Sequence, residues 1–423
     1  MIPLEQAWRQ AHWTLVQYRR QPGKIDELLE RAEDQVDAVA QGRLHWLVYG
    51  VVRHWRRLED ALKRQVSKAP RPKAEAALLL GFYELWADEK SGRAQVIDFV
   101  TEQSKKVLSK PEANFVHAVL RRSPEQWPET DDVSLAASHP RWLYERWTQE
   151  FGAEAAEALM QWDQQAPELW VQTAPAVVPP ADWQPGEWPR FFKAPATMAE
   201  VRPWLEKGLA YVTDPSTRWP VEFAGIQPGM RVLDLCASPG GKSWQILQRL
   251  QGQGSLVAVD LAPRVGRLKG NLQKAQQPYV DAIEQEALRV QVIEADVLEL
   301  TPDTLHAHSG FAAFDVVLLD APCSNTGVLR RRPDAKWRLS PKEIDQVAAL
   351  QRKLIRQAAE FVAADGALVY STCSIEPQEN EAQVTQALQE LPFALAQSKL
   401  SRPDVDGHDG GGAFRLTRIY AGS

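Results

Sequence analysis

The sequence predicts an α/β protein with three parts: an all-α N-terminal domain, a small middle module and a C-terminal Rossmann-like domain on a doubly wound parallel sheet. Three observations predict it. Residues 1–122 are rich in Ala, Leu, Arg and Glu and poor in Gly, with apolar residues at helical spacing. Residues 164–198 are dominated by Pro, Trp and Gln, and repeated Pro forbids long helices. From about Gly229 short apolar runs alternate with helical stretches, the pattern of strands joined by crossover helices.

The first domain is placed at 1–125. Its stripes, Leu44, Leu47, Val48, Val51 and Val52, then Ala77, Leu78, Leu79, Phe82 and Leu85, read as core faces. Residues 1–122 hold 21 Lys and Arg against 16 Asp and Glu, a net of +5, which leaves −11 for the rest of a chain whose total is −6. Arg53, Arg56, Arg57, Arg121 and Arg122 are expected on outer faces, either as a solvated surface or as an RNA footprint. The middle module is placed at 138–220. A helical lead-in runs from Ser138-His139-Pro140-Arg141-Trp142-Leu143 to about Asp163, followed by irregular short strands that contact RNA.

The third domain is placed at 221–423. Strands are expected at Val232–Cys236, Leu256–Asp260, Val290–Ala295, Phe314–Leu319 and Ala367–Ser371. Helices are expected at Lys242–Leu250, Arg264–Ala275, Pro341–Ala363 and Gln378–Leu391.

Composition narrows the class. Hydrophobic residues make up 44% and charged residues 25%, as in an ordinary globular chain of two or three domains. No apolar run approaches the roughly 20 residues of a membrane span, and no signal peptide is evident at the start. Three cysteines with no CxxC and no His/Cys cluster argue against a disulfide framework and against a metal site. A reducing, cytoplasmic compartment and a monomer are expected.

Strand Val232–Leu235 runs into Cys236-Ala237-Ser238-Pro239-Gly240-Gly241-Lys242 and then a helix. A small-residue turn between strand and helix lets a ligand approach the backbone closely. It is neither a Walker A loop nor GxGxxG. Asp260 ends the next strand, where an acid accepts ribose hydroxyls, and Asp296 closes the third, where it can meet an adenine amino group. With no pyrophosphate fingerprint, a nucleoside cofactor such as S-adenosylmethionine fits better than NAD. Residues 236–242, Asp260, Asp296 and Asp320 form the expected cofactor set, with Cys236 contributing only backbone.

Two cysteines follow apolar strands in matching fashion: Cys323 in Leu318-Leu319-Asp320-Ala321-Pro322-Cys323, and Cys373 in Val369-Tyr370-Ser371-Thr372-Cys373. Residues just past the carboxyl ends of parallel strands line the ligand crevice of an open sheet. Carbon 5 of a pyrimidine is a poor nucleophile until a thiolate adds to carbon 6. The site therefore needs a nucleophilic Cys, an acid near N3 and a second proton-transfer group. Asp320, Cys323 and Cys373 supply that set, and Lys242 is a candidate cation for thiolate activation or for a substrate phosphate. This chemistry alone leaves open which Cys attacks.

From about Asp234 to Asn380 the chain resembles the RNA cytosine-C5 methyltransferases of the Sun/Fmu family. The resemblance is carried by Asp234–Lys242, Asp320-Ala321-Pro322-Cys323-Ser324-Asn325-Thr326-Gly327, Arg332-Pro333-Asp334 with Lys336-Trp337, and Ser371-Thr372-Cys373-Ser374-Ile375 with Glu379-Asn380-Glu381. It implies a class I methyltransferase domain, S-adenosylmethionine, Cys373 as nucleophile and Cys323 as the residue that assists release. The N-terminal part resembles the RsmB-type branch of that family, which modifies 16S rRNA and carries a NusB-like RNA-binding domain. Leu47–His54, Leu80–Leu85 and Asn114–Arg122 carry this second match.

The chain departs from the family at Asp214-Pro215-Ser216-Thr217-Arg218, where Gln is usual at the last position, and at Asp409-Gly410-Gly411-Gly412-Ala413-Phe414. Arg330, Arg331, Arg332, Lys336 and Arg338 are expected to grip the RNA backbone beside a flipped cytosine. Two other classes of function compete with cytosine-C5 transfer. An amino-group methyltransferase would carry a Pro-Pro-aromatic run where this chain has Ala321-Pro322-Cys323, and a non-catalytic RNA-binding scaffold would need neither thiol.

Overall fold

The computed structural model describes residues 3–88, 90–175, 177–194 and 198–419, and these form two compact units. The first comprises residues up to Ala166 together with Leu329–Arg338; the second comprises Pro167–Val328 and Leu339 onward.

The first unit is helical, with helices at Pro3–Arg20, Ile25–Glu33, Ala38–Arg53, Trp55–Gln65, Pro72–Ala87, Arg93–Val107, Lys110–Arg122, Arg141–Phe151 and Ala153–Gln164. Local chemistry sets their ends. Helix Lys110–Arg122 has Pro at its second position, and its preceding Ser109 donates its amide to Glu112 Oε2 at 3.2 Å. The expected stripes are its core: Leu44, Leu47, Val48, Val51, Val52, Ala77, Leu78, Leu79 and Phe82 are all buried, while Leu85 packs against the core half-buried. Each apolar stripe buries one helix face, at roughly 1.5–3 kcal/mol per large side chain.

Two expectations about charge are overturned within this unit. Arg53 is buried, and its Nη2 donates to the Arg330 carbonyl at 2.9 Å. Of the basic run after the Pro-Cys sequence, Arg330 and Lys336 are buried, whereas Arg332 is exposed and Arg331 and Arg338 are half-buried. Lys336 is 1% exposed and its Nζ donates to the Arg53 carbonyl at 3.0 Å. The Arg330 guanidinium lies over the Trp162 ring, 4.5 Å from its centroid, and donates to the Ala166 carbonyl. Trp337 donates its indole N–H to the Val52 carbonyl at 2.7 Å. The long stems of Arg330 and Lys336 cover apolar surface while their heads find backbone acceptors, so two cations of a run that reads as surface are packed inside. The expected middle module, 138–220, is thereby divided. Its helical lead-in belongs to this unit, because Ser134, His139 and Asp163 are buried among its helices and His139 Nε2 pairs with Asp163 Oδ2 at 3.1 Å.

In the second unit, β1 (Trp170–Thr173), β2 (Gln184–Pro185), β3 (Phe191–Lys193) and β4 (Ala210–Val212) make a small sheet in the order β2-β3-β1-β4. The large sheet has seven strands: β5 (Arg231–Leu235), β6 (Gly254–Asp260), β7 (Leu288–Glu294), β8 (Phe314–Asp320), β9 (Val362–Thr372), β10 (Phe393–Ser401) and β11 (Gly411–Arg418). Their order is β10-β11-β9-β8-β5-β6-β7. β5 to β9 run parallel, while β11 is antiparallel to both β9 and β10. The five expected strands are the five parallel ones, and the Rossmann-like class I architecture follows.

Their continuous apolar sequences, such as Leu256-Val257-Ala258-Val259, are buried on both faces by helices Gly241–Leu250, Ala262–Ala275, Pro341–Glu360 and Glu381–Glu390. The order reverses between β5 and β8, so the carboxyl ends of those two strands open a crevice.

Candidate active site

β5 delivers Leu235 into the turn Cys236–Gly240, which leads into helix Gly241–Leu250. Two residues of the turn lie in the left-handed region, Cys236 at φ 58° and Gly240 at φ 103°, and the Ser238–Pro239 peptide is cis. A side chain at 240 is disfavoured by that φ, and its Cβ would sit 3.2 Å from Leu268 Cδ1. Asp260, at the end of β6, pins the turn. Its Oδ2 accepts the Ser238 amide at 2.8 Å and its Oδ1 the Leu261 amide at 2.7 Å. Each oxygen of this carboxylate thus spends one lone pair on backbone and keeps another for a ligand. Asn271 Nδ2 donates to the Pro239 carbonyl at 2.8 Å, a support that sequence inspection missed.

Asp296 stands two residues past β7, and its Oδ1 caps the turn Val297–Glu299 by accepting the Leu298 amide at 2.9 Å. Asp320 closes β8. Its Oδ2 lies 2.7 Å from Lys242 Nζ, and its Oδ1 accepts Ser371 Oγ at 3.0 Å. Lys242 comes from the first turn of helix Gly241–Leu250. Burial pulls its pKa down, but the charge and hydrogen bond of Asp320, with the nearby Cys373, outweigh that and hold it above the ordinary lysine range. Behind the turn, Asp234 is fully buried in β5 and accepts the Ser243 hydroxyl; burial pushes its pKa up to about 7.

β8 and β9 pair in parallel with Asp320 opposite Ser371. The loops beyond them therefore leave the sheet side by side, and the Cys323 and Cys373 sulfurs lie 3.1 Å apart. Asn325, at φ 64°, bridges the loops: its Nδ2 donates to the Cys323 carbonyl at 2.9 Å and its Oδ1 accepts the Cys373 thiol at 3.4 Å. The hydrogen bond to Cys373, then burial, then the Cys373 and Glu379 charges raise the Cys323 pKa well above the usual thiol range. Cys236, in the cofactor turn, is pushed up to about 12, chiefly by burial and then by Asp260 and Asp320.

A buried polar cluster lies under the cysteine loops. Glu379, from the turn Pro377–Glu379, accepts the Ser324 amide at 2.9 Å, the Ser324 hydroxyl, the Ser374 hydroxyl at 2.7 Å and Gln351 Nε2 at 2.9 Å. Asn380 binds the Ser374 carbonyl at 2.8 Å and accepts Thr372 Oγ1 at 2.7 Å. Glu379 and Asn380 stand a few residues after Cys373 in the sequence, but nothing in their spacing marked them as a hub.

The glycine-rich departure at 410–412 has a steric cause. A Cβ on Gly411 would lie 2.3 Å from the Thr372 carbonyl oxygen, and one on Gly412 2.3 Å from Asn380 Oδ1. β11 begins in van der Waals contact with the Thr-Cys loop, and only residues without a side chain fit.

Among the described residues no group of three or more His, Cys, Asp or Glu is arranged to hold a metal, and no helix is long and apolar enough to cross a membrane.

Comparison with known proteins finds matches to both the C-terminal and the N-terminal parts of the chain. Residues 224–415 match the family model described as 16S rRNA methyltransferase RsmB/F, and residues 7–124 match the NusB family. The chain is 28% identical over 435 residues to the ribosomal RNA small subunit methyltransferase B of Erwinia tasmaniensis, covering 96% of each. It is 29% identical over 374 residues to the protein of the same name from Serratia proteamaculans, covering 82% of this chain and 81% of that one. Among solved structures, PH0851 superposes with a TM-score of 0.77 at 20% identity over 99% of both chains. NSun6 from Pyrococcus horikoshii superposes with a TM-score of 0.56 at 18% identity over 66% of this chain and 98% of that one. At these identities the two structures speak for the fold.

Proposed function

We propose that the chain, whose residues 224–415 match the 16S rRNA methyltransferase RsmB/F model, methylates carbon 5 of a cytosine in 16S rRNA through a covalent adduct with Cys373. Its cofactor is S-adenosylmethionine, which supplies an electrophilic methyl group. The edge of the sheet suits such a group. Asp260, Asp296 and Asp320 offer carboxylate acceptors at or just past the ends of β6, β7 and β8 for hydroxyls, an amino group and a positively charged centre. The turn Cys236–Gly241 offers close backbone approach.

The observation that carries the reading is the 3.1 Å separation of two thiols, with the strand before each delivering a residue of the Asp320–Ser371 pair. Cys373 adds to carbon 6 and forms a C–S bond, and the ring electrons displaced to carbon 5 take the methyl group. The Lys242 ammonium favours the Cys373 thiolate by the same attraction through which Cys373 raises the lysine. Asp320 holds that ammonium and stands at the strand end where ring N3 is to be met. Cys323, as thiolate, removes the carbon 5 proton. The C–S bond then breaks and the double bond between carbons 5 and 6 reforms. A thiol whose pKa is raised is a strong base once ionised. The NusB-like helical unit serves as the RNA-binding part of the chain.

Trapping on RNA tests the reading. Cys323→Ala accumulates a covalent protein–RNA complex, and Cys373→Ala forms none and is inactive. The reverse pattern exchanges the two roles. Digestion of the methylated RNA yields 5-methylcytidine by mass spectrometry, and an N4-methyl product would overturn the proposal.

A further inference from the structure

We propose that Glu379 is a positioning residue for methyl transfer: its buried carboxylate clamps the two cysteine-bearing loops together and so sets the distance between Cys323 and Cys373. The proposal rests on the two-thiol reading above and assigns a role to a residue that touches neither substrate nor cofactor.

The connections between the loops argue for it. Backbone hydrogen bonds join them only at the margins, from the Ala321 amide to the Ser371 carbonyl at 2.9 Å and from the Gly327 amide to the Cys373 carbonyl at 3.0 Å. Between those ties, residues 322–326 reach the other loop through side chains. Asn325 reaches the Cys373 thiol and Thr326 Oγ1 accepts the Ile375 amide at 3.1 Å, while the largest set of bonds converges on one carboxylate. Ser324, the neighbour of Cys323, gives it both its amide and its hydroxyl, and Ser374, the neighbour of Cys373, gives it its hydroxyl. Gln351 anchors the same group from helix Pro341–Glu360, and also donates to the Pro322 carbonyl at 2.9 Å. Tyr370 donates to the Glu379 carbonyl at 2.6 Å and fixes the turn that carries it.

Glu379, Ser374 and Gln351 are fully buried and Ser324 is nearly so. A loop that leaves this arrangement strands several polar groups in a dry interior, at roughly 1–3 kcal/mol each. An ionised carboxylate accepts four donors. A glutamine has a single oxygen and turns donors toward donors, so it cannot reproduce the clamp.

The distance between the thiols can be read without RNA. Phenylarsine oxide joins two adjacent thiols, forming two As–S bonds and releasing one water. Wild-type protein is expected to bind one equivalent through Cys323 and Cys373, as peptide mapping would identify. Glu379→Gln is expected to bind it at least tenfold more weakly and to lose at least 100-fold in kcat, with KM for S-adenosylmethionine changed less than twofold. Ser374→Ala should show a smaller loss of the same kind. The double variant should be no worse than Glu379→Gln alone, as for two parts of one device.

A wild type that does not bind the arsenical, a Glu379→Gln variant that binds it as wild type does, additive losses, or a KM for cofactor that rises along with the loss in kcat each overturns the clamp. If Glu379→Gln does not fold, Ser374→Ala decides alone by the same two measurements. An amino-methylated product would sink the two-thiol reaction and leave the arsenical result to judge the clamp.

Discussion

Lys242 Nζ stands 2.7 Å from Asp320 Oδ2, so the helix after β5 and the end of β8 are joined by an ion pair across the switch point of the sheet. Each partner needs the other in a largely buried setting. Lys242→Met leaves the Asp320 carboxylate without its cation and removes a positive charge that attracts the Cys373 thiolate. Methyl transfer is expected to fall at least 100-fold, and stability by roughly 1–3 kcal/mol in urea unfolding. The pH dependence follows from the direction of the lysine shift. A lysine raised above its unfolded value stabilises fully below about pH 10.5, and that contribution is lost as pH rises through the higher folded value. The stability gap between wild type and Lys242→Met should therefore be flat from about pH 7 to 9 and close only in stronger alkali.

Cys236 differs from the other two cysteines. With its pKa pushed up to about 12, only about one molecule in 10⁴ carries the thiolate at pH 8. Iodoacetamide at pH 8 should leave Cys236 unlabelled in the native protein and label it after denaturation. Cys236→Ala should keep methyl transfer within about threefold of wild type, because the turn uses the residue's backbone. Rapid native labelling, or an inactive Cys236→Ala that still melts like wild type, would give this thiol a chemical role.

Glycine placement yields two opposite outcomes. Gly411→Ala puts a Cβ 2.3 Å from the Thr372 carbonyl oxygen and 3.3 Å from Cys373 Cα, against backbone that cannot yield cheaply. It should cost about 1–3 kcal/mol and depress activity through the Thr-Cys loop. Gly266 lies within helix Ala262–Ala275, and a Cβ there meets nothing within 4 Å. Gly266→Ala should raise stability by about 0.5–1 kcal/mol with activity unchanged. Thermal melts and initial rates of both variants check the pair.

The parallel strands were legible because burial on both faces leaves continuous apolar runs such as Val316-Val317-Leu318-Leu319. β10 and β11 were not. β10 is exposed along most of its length, with polar residues in Gln397-Ser398-Lys399, and β11 opens on two glycines demanded by a neighbour far away in sequence. The small sheet has strands of two to four residues, too short for periodicity to register. At the site, the thiols, Asp320 and Lys242 could be read because their chemistry is carried by residue type beside a strand end. Glu379 and Asn325 could not, since their roles exist only in contacts with loops some fifty residues away. Lys336 and Arg330 were misread for the same reason: a run of cations looks solvated until its backbone acceptors are located.

Lys336 supplies the last prediction. It is fully enclosed in the helical unit, its ammonium bonded to the Arg53 carbonyl, and burial lowers its pKa to about 7, with Asp163 opposing and Arg53 reinforcing the shift. The sign runs opposite to that of Lys242. Below about pH 7 both folded and unfolded chains carry the proton. Between about 7 and 10.5 the unfolded chain binds it and the folded chain does not, so this group makes stability rise with pH across that window. The rise is at most about 4–5 kcal/mol, since each unit of pKa difference is worth 1.36 kcal/mol. Lys336→Met removes the titration and keeps the packed stem. Its unfolding free energy should be flatter than that of wild type from pH 7 to 10, and its advantage over wild type greatest at pH 6–7, where the buried charge costs most. Chemical denaturation followed by circular dichroism at pH 6, 8 and 9.5 measures both slopes. Parallel slopes for the two proteins would mean that Lys336 keeps its proton throughout this range.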